Sequence, residues 1–184
     1  MVQPLVIFLL LLVFGVAALY IIRSKFHRLK TRNALDEKQY ARLLELAERS
    51  LDSLDVPVGA LLLYEGQIIG EGWNTVLRNA KAGEHAEVNA ISNAIAVMGM
   101  EKFSALDRRS LVLVSTFEPC LMCAGAFVNY NIHNVLFMKE KELSFTGKEE
   151  ARFLRYLLKR RQIKNRNEQD SLFEKHPDYP ARKK

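Results

Sequence analysis

Residues 110–138 read SLVLVSTFEPCLMCAGAFVNYNIHNVLFM, and this stretch decides the fold. The β-branched run at 110–116 predicts an interior strand, and CLMCAGAFVNYN at 120–131 predicts a short helix. HNVLFM at 133–138 then predicts a second strand. Strands that alternate with helices on this scale are typical of a sheet covered by helices.

The same alternation continues towards the amino terminus. Residues 84–99, EHAEVNAISNAIAVMG, predict a helix that stops at its final glycine. Before this helix, VPVGALLLY at 56–64 and QIIGEG at 67–72 predict the two strands of an antiparallel hairpin. Glu65-Gly66 is predicted to be the tight turn between them.

The outermost elements are predicted to be helices. LDEKQYARLLELAERSLDSL at 35–54 is predicted to form an amphipathic helix with Asn33 as its N-cap, because its apolar residues recur at helical spacing. These residues are Tyr40, Leu43, Leu44, Ala47, Leu51 and Leu54. EEARFLRYLLKRRQIKNR at 149–166 predicts a basic final helix. The order α-β-β-α-β-α-β-α predicts an α/β fold, a three-layer α/β/α sandwich with a mixed sheet.

An apolar run precedes this domain. LVIFLLLLVFGVAALYII at 5–22 contains no charged residue and approaches the roughly 20 residues of a transmembrane helix, so it predicts a membrane anchor. A cleaved signal peptide is the weaker alternative, because residues 1–4 carry no basic side chain. Basic residues follow at 23–32, and the positive-inside rule therefore predicts a single-pass protein with its amino terminus outside and its folded domain in the cytoplasm.

Charge is distributed unevenly along the 184 residues, whose formal net charge is +6. Residues 23–32 carry five basic side chains and no acidic ones, which favours contact with anionic lipid over contact with nucleic acid. Ten Lys and Arg residues face fifteen Asp and Glu residues at 33–147, and the ratio becomes twelve to six at 148–184. The basic character therefore lies at the two ends of the chain.

The length leaves room for one compact domain with appendages. We predict an anchor and a basic juxtamembrane segment at 1–32, and a folded domain at 33–166. Residues 167–184 show no hydrophobic periodicity and contain two prolines, which predicts a flexible tail.

Three side chains predict a zinc site. Cys120 and Cys123 lie at the start of a predicted helix, where the helix N-terminus favours thiolates, and His85 begins the predicted helix before it. Catalytic zinc takes three protein ligands and keeps a fourth position for water, and these residues supply such a set. A structural site would need a fourth ligand, for which His133 is the nearby histidine, and the two cysteines alone are also compatible with small buried side chains.

Glu87 follows His85 at a distance of two residues. A carboxylate at this spacing can reach a water on the metal without binding the metal itself. It can then carry a proton between that water and a substrate, which is general acid and base catalysis.

The chain resembles the bacterial tRNA adenosine deaminase family, within the cytidine deaminase-like superfamily of zinc-dependent nucleoside and nucleobase deaminases. The stretches DVPVGALLL, IIGEGWN, EHAE and EPCLMCAGA carry the likeness between residues 34 and 138, and LKRRQIKNRN carries a weaker one. H-x-E with P-C-x-x-C is the zinc pattern of such deaminases. The resemblance implies that Asn74 hydrogen-bonds the edge of the base, that Val58 lines the floor of the pocket, and that the chain forms a homodimer.

Two departures from the family's pattern lie where nucleic acid would bind. Asn74 is followed by Thr75-Val76 where the family usually has Arg-Pro, so a phosphate contact is expected to be missing. Phe137 leads into MKEKELSFTGKEE where the family usually has FGARD and a glycine-rich loop, which predicts that the fifth strand is shortened or absent.

The function that the resemblance implies is a hydrolase that converts adenosine to inosine in tRNA or in other single-stranded nucleic acid, and the apolar run at 5–22 predicts that it is tethered to the membrane. Water activated by zinc would attack C6 of adenine, or C4 of cytosine, and ammonia would leave after Glu87 delivers protons. One alternative is a deaminase of a free nucleobase, nucleoside or nucleotide such as guanine or cytidine. Another is a non-catalytic binding partner with a zinc-stabilised deaminase fold.

Overall fold

The structure is a computed structural model that describes residues 35–159 together with Phe14, Gly15 and Ala18, without the side chains of 143–146. Apart from those three residues, the predicted anchor at 5–22 lies outside the described residues, as do the basic segment at 23–32 and the tail at 167–184. In the part that is described, no helix combines the length and the apolar character needed to cross a membrane. The chain divides into two compact units, 1–141 and 142–184, so the domain predicted at 33–166 spans both.

The first unit alternates helices with the strands of one sheet. In chain order its elements are α1 (Glu37–Arg49), a 3₁₀ turn (Ser50–Ser53), β1 (Gly59–Tyr64), β2 (Gln67–Trp73), α2 (Val76–Asn79), α3 (Ala86–Met98), α4 (Met100–Ala105), a second 3₁₀ turn (Arg108–Ser110), β3 (Leu111–Phe117), α5 (Leu121–Asn129) and β4 (Asn134–Lys139). In the second unit the structure describes α6 (Leu143–Lys159). The short helices α2 and α4 were not predicted.

The sheet is mixed, as predicted. Its strand order is β2-β1-β3-β4, with β1 antiparallel to both of its neighbours and β3 parallel to β4. Glu65 and Gly66 both have positive φ, 50° and 79°, as a two-residue type I′ hairpin requires, which confirms the predicted turn.

The cap of α1 differs from the prediction. Asp36, and not Asn33, is the N-cap, and its Oδ1 accepts a hydrogen bond of 2.8 Å from the backbone N–H of Gln39. The Gln39 side chain accepts one of 3.2 Å from the backbone N–H of Asp36 in return, which completes a capping box. A reciprocal pair satisfies two N–H groups and therefore outweighs a single cap residue upstream.

The buried face of α1 also ends earlier along the chain than the predicted apolar stripe. Leu43 and Leu46 are fully buried, whereas Leu51 and Leu54 are 54% and 85% exposed. The α-helix ends at Arg49 and gives way to a 3₁₀ turn, so residues beyond it no longer follow the helical spacing on which the prediction relied.

Helices cover both faces of the sheet, as the three-layer prediction requires. Leu61 and Leu63 of β1 pack in one core with Leu43 and Leu46 of α1. Ala60 and Leu62, the alternate residues of β1, belong to a second core with residues of α3 and α5: Ala86, Ala90, Ile91, Ala94, Cys123 and Phe127. Alternate side chains of a strand point to opposite faces, so β1 separates the two cores.

Two glycines allow α3 to lie against β2. A Cβ on Gly72 would overlap the carbonyl oxygen of Ala86 and the nitrogen of Ala90, and one on Gly70 would overlap the carbonyl oxygen of Ala90. The absence of side chains at these two positions therefore fixes how close the first turns of α3 come to the sheet.

Strands β2 and β3 run in the same direction on either side of β1, so α3 and α5 begin at the same edge of the sheet. The strands that precede these two helices, β2 and β3, are separated by β1. Within the described residues there are four strands, and α6 begins at Leu143, six residues before the predicted start of the final helix. A fifth strand is thus absent from the described part, in agreement with the departure after Phe137.

Candidate active site

The candidate metal ligands lie at the beginnings of two helices. His85 is the N-cap of α3 and Cys120 is the N-cap of α5, both with extended backbone angles, while Cys123 is in the first turn of α5. The N-termini of α3 and α5 therefore both lie at the candidate metal ligands, and the partial positive charge of each N-terminus favours thiolate sulfur there.

The three donor atoms form a nearly equilateral triangle. Nδ1 of His85 is 3.6 Å from Sγ of Cys120 and 3.6 Å from Sγ of Cys123, and the two sulfurs are 3.6 Å apart. Tetrahedral zinc at about 2.3 Å from sulfur and about 2.0 Å from nitrogen separates nitrogen from sulfur by about 3.5 Å and the two sulfurs by about 3.8 Å. The donor types and spacings fit zinc with one position left over, and His133 is not part of this cluster in the described residues.

Charge is unevenly distributed among the three donor side chains. A hydrogen bond with Cys123, reinforced by His85, lowers the pKa of Cys120 to about 3. The same hydrogen bond between the two cysteines, together with burial, raises the pKa of Cys123. The hydrogen bond with Cys120 also raises the pKa of His85. Zinc binds two thiolates and a neutral imidazole, so loading the site must release the proton of Cys123.

Glu87 lies against this cluster. Its side chain is buried, with Oε2 3.5 Å from Sγ of Cys123 and Oε1 3.3 Å from the hydroxyl of Ser115. Burial raises the pKa of Glu87, because a carboxylate loses hydration there. A carboxyl group that holds a proton more readily than usual, beside a metal site, is suited to proton transfer.

Asn74 is buried next to the beginning of α3. Its Oδ1 accepts a hydrogen bond of 2.9 Å from the backbone N–H of Ala86, and its Nδ2 donates one of 2.9 Å to the carbonyl of Val56. Val58, also buried, shares a core with Ala86 and Cys123. The structure thus brings both predicted substrate-binding residues beside the cluster, and it gives Asn74 a part in holding the helix that begins after His85.

Thr75, which departs from the family's pattern, is directed into the protein. Its hydroxyl donates to Oε2 of Glu84 at 2.7 Å, and its backbone N–H donates to the Glu84 carbonyl at 3.1 Å. Hydrogen bonds from Asn79 and Thr75 lower the pKa of Glu84 to about 2. Hydrogen bonds to Glu84 therefore hold together the loop between Asn74 and His85, and the Glu84 carboxylate is negatively charged at neutral pH.

Lys141 holds the segment before Cys120. Its backbone N–H donates to Oε2 of Glu118 at 2.8 Å, and its Nζ donates to the carbonyl of Pro119 at 3.0 Å. Lys141 and Ser115 were not among the predicted site residues. The sequence does offer one signal for Ser115, which is a polar residue within the apolar run of β3. No motif or residue spacing in the sequence indicates Lys141.

Comparisons with known proteins place these features in a family. The family model described as the cytidine and deoxycytidylate deaminase zinc-binding region matches residues 33–139. The tRNA-specific adenosine deaminase of Haemophilus influenzae is 36% identical over 109 residues, 59% of this chain and 60% of that protein. The tRNA-specific adenosine deaminase 2 of Xenopus laevis is 37% identical over 86 residues, 46% of this chain and 49% of that protein. The chain thus spans about half to three fifths of these curated relatives.

Solved structures show a related fold. Guanine deaminase from Bacillus subtilis matches with a TM-score of 0.58 and 26% identity, over 76% of this chain and 92% of that one. A structure from a study of A-to-I editing by tRNA:A34 deaminases matches with a TM-score of 0.50 and 27% identity, over 55% and 75%. Because the family model covers more than half of the sequence, including His85, Glu87 and both cysteines, the chain belongs to the cytidine and deoxycytidylate deaminase zinc-binding family.

Proposed function

We propose that this chain is a zinc-dependent hydrolytic deaminase of an amino-substituted nucleobase. His85, Cys120 and Cys123 hold the metal, and Glu87 carries protons. One observation carries the proposal: a buried carboxylate, 3.5 Å from a sulfur of the three-donor cluster, lies where a proton carrier would serve the metal's remaining position. A purely structural metal site has no use for such a carboxylate.

The proposed reaction replaces an exocyclic amino group by oxygen. His85, Cys120 and Cys123 would hold zinc, which would supply an activated water as the nucleophile. Glu87 accepts a proton from that water and delivers it to a ring nitrogen. It then transfers the second proton to the amino group, so that water and the ring C–NH₂ become a carbonyl and ammonia. The raised pKa of Glu87 favours the protonated state that each delivery requires.

Adenine in RNA is the substrate that we propose first, with adenosine converted to inosine in tRNA or in other single-stranded nucleic acid. The relatives from Haemophilus influenzae and Xenopus laevis, both tRNA-specific adenosine deaminases, support it. An asparagine amide carries two N–H groups, and one of those on Asn74 is directed to Val56. We assign the other to the edge of the base, with Val58 at the floor of the pocket.

A free nucleobase such as guanine is the second candidate. The match to the Bacillus subtilis guanine deaminase extends over more of both chains than the match to the tRNA:A34 deaminase. The Thr75 hydroxyl is also bonded to Glu84 where the family usually has Arg-Pro, so this position supplies no guanidinium to bind a phosphate.

We further propose that the apolar run at 5–22 tethers a cytoplasmic domain to the membrane. Its length and the five basic residues after it support this orientation. A reporter fused after Lys184 should be active in the cytoplasm, and activity confined to the outside would contradict the orientation. A homodimer, suggested by the family resemblance, should show twice the chain mass in light scattering of the detergent-solubilised protein, and a monomer mass would reject it.

The test of the proposed function measures ammonia release by the full chain loaded with zinc. The substrates are a short RNA stem-loop, single-stranded DNA, adenosine, cytidine and guanine. Glu87→Gln should keep the zinc and lose at least about 10²-fold in kcat, because general acid and base catalysis contributes about 10² to 10⁴. Glu101→Gln, an exposed carboxylate on α4, is the control and should keep wild-type turnover. Bound zinc without turnover of any substrate would reject the enzymatic proposal in favour of a binding partner.

A further inference from the structure

Ser115 is a buried hydroxyl in the middle of the sheet. It lies on β3 between Ala60 of β1 and Phe137 of β4, and its side chain is fully excluded from solvent. A buried hydroxyl without a partner is unfavourable, so its contacts are informative. Its Oγ lies 3.3 Å from Oε1 of Glu87, and the backbone N–H of Phe117 approaches the same Oγ at 3.5 Å.

Each carboxylate oxygen of Glu87 contacts one side-chain donor. Ser115 faces Oε1, and the thiol of Cys123 faces Oε2 at 3.5 Å. Cys123 is itself one of the three candidate metal ligands. Of these two donors, Ser115 is therefore the one that lies outside the metal cluster.

We propose that Ser115 is a positioning residue for the reaction. Its hydroxyl holds Oε1 of Glu87, and the other oxygen is thereby directed at the cluster of His85, Cys120 and Cys123, where water and substrate meet. This inference rests on the proposed function, because it assigns proton transfer to Oε2.

A serine suits this role better than a cation would. The hydroxyl rotates, so it can donate to the carboxylate and accept from the carboxylic acid. It therefore stays bonded to Glu87 through both halves of the proton cycle. A lysine or arginine has no acceptor and would favour the charged form alone.

The experiment compares Ser115→Ala and Ser115→Thr in the full chain loaded with zinc. Ser50→Ala is the matched control, because Ser50 is also fully buried and its hydroxyl donates at the same distance, 3.3 Å, to the carbonyl of Val58. Ser115→Ala should keep the zinc content and keep KM within about twofold, while kcat falls by about tenfold to a hundredfold, part of the range for acid and base catalysis. Ser115→Thr should recover most of kcat, and Ser50→Ala should change kcat by less than about twofold.

Crystal structures of the zinc-loaded variants give a readout that does not need turnover. In Ser115→Ala the Glu87 carboxylate should rotate away from its wild-type orientation, and in Ser115→Thr it should keep that orientation. An unchanged Glu87 in Ser115→Ala would overturn the proposal, as would a kcat loss that Ser50→Ala reproduces. If wild type fails to turn over any base, the proposed function is rejected, and the orientation of Glu87 still decides whether Ser115 positions it.

Discussion

Glu87 is a buried carboxyl group whose pKa is raised, so the stability of the metal-free protein should depend on pH in a defined direction. Below its ordinary value of 4.5 the group is protonated in both the folded and the unfolded state. As pH rises from there towards the raised folded pKa, the unfolded chain releases the proton and the folded protein retains it. The free energy of unfolding therefore falls through this window and stays reduced above it.

Glu87→Gln removes this loss, because the amide is uncharged at every pH. We expect the metal-free variant to be more stable than metal-free wild type at pH 7, with the difference shrinking to nearly zero below about pH 4. Urea unfolding of both proteins across this range provides the measurement. A difference that does not grow with pH would show that the carboxylate keeps its hydration in the folded protein.

Asn74 allows a structural contribution to be separated from substrate binding. Asn74→Ala leaves the N–H of Ala86 and the carbonyl of Val56 without their partner, and we expect a loss of about 1–3 kcal/mol in the free energy of unfolding. Asn74→Asp keeps an acceptor for Ala86 and should recover part of that loss. Wild-type stability in both variants would mean that Asn74 does not hold the start of α3.

The residues of the site differ in how far the sequence could reveal them. His85, Cys120 and Cys123 were predictable because metal binding restricts both residue type and spacing. Ser115 was not singled out, since its partner Glu87 lies 28 positions away and only the sheet and α3 bring them together. The internal bond from Thr75 to Glu84 likewise depends on the path of the loop.

At the scale of elements, the packing of α3 on β2 determines where the site forms. Gly72→Ala would place a methyl group against the backbone of Ala86 and Ala90, in the turn that also carries Glu87. We expect a loss of about 1–3 kcal/mol in stability, as for other overpacked positions, together with weaker zinc binding because the start of α3 is displaced.

Gly125→Ala is the control for that substitution. It makes the same chemical change in α5, where a Cβ would meet no atom within 4 Å. Replacing a helical glycine by alanine at an open position should stabilise the protein by up to about 1 kcal/mol. Thermal unfolding with and without zinc measures both variants, and opposite signs are expected. Equal destabilisation would mean that the contact with α3 is not what constrains Gly72.

The pattern of elements was largely predictable because strand and helix periodicities are local. The bounds of α3, β3 and α5 fell within two residues of the prediction. His85 and Gly99 cap the two ends of α3, and Cys120 caps the start of α5. The N-cap and the buried face of α1 were predicted wrongly for two separate reasons. The Asp36 capping box displaced the predicted cap, and the 3₁₀ turn after Arg49 moved Leu51 and Leu54 off the buried face.

At the scale of the whole molecule, the basic residues lie outside the stretch of sequence that carries the site. The stretch 33–147 has five more acidic than basic residues, while 148–184 has six more basic than acidic ones. An RNA substrate would have to be attracted mainly by the basic ends of the chain. Within α6, four basic residues recur at positions i, i+4, i+7 and i+11, which places them on one stripe of the helix: Lys148, Arg152, Arg155 and Lys159.

Replacing these four residues by glutamine tests which substrate class the enzyme uses. If RNA is the substrate, each phosphate contact contributes to the salt dependence, so KM for a stem-loop should rise and its logarithmic slope against salt should flatten by up to about 3. KM for a free base should not change, because a neutral base releases no counterions.

The control is the double variant Lys38→Gln with Lys102→Gln, which removes two positive charges from exposed positions of the first unit. Steady-state kinetics from low to moderate salt provide the measurement. Wild-type turnover of guanine without salt dependence, combined with no RNA turnover, would reject RNA and leave the free base as the substrate.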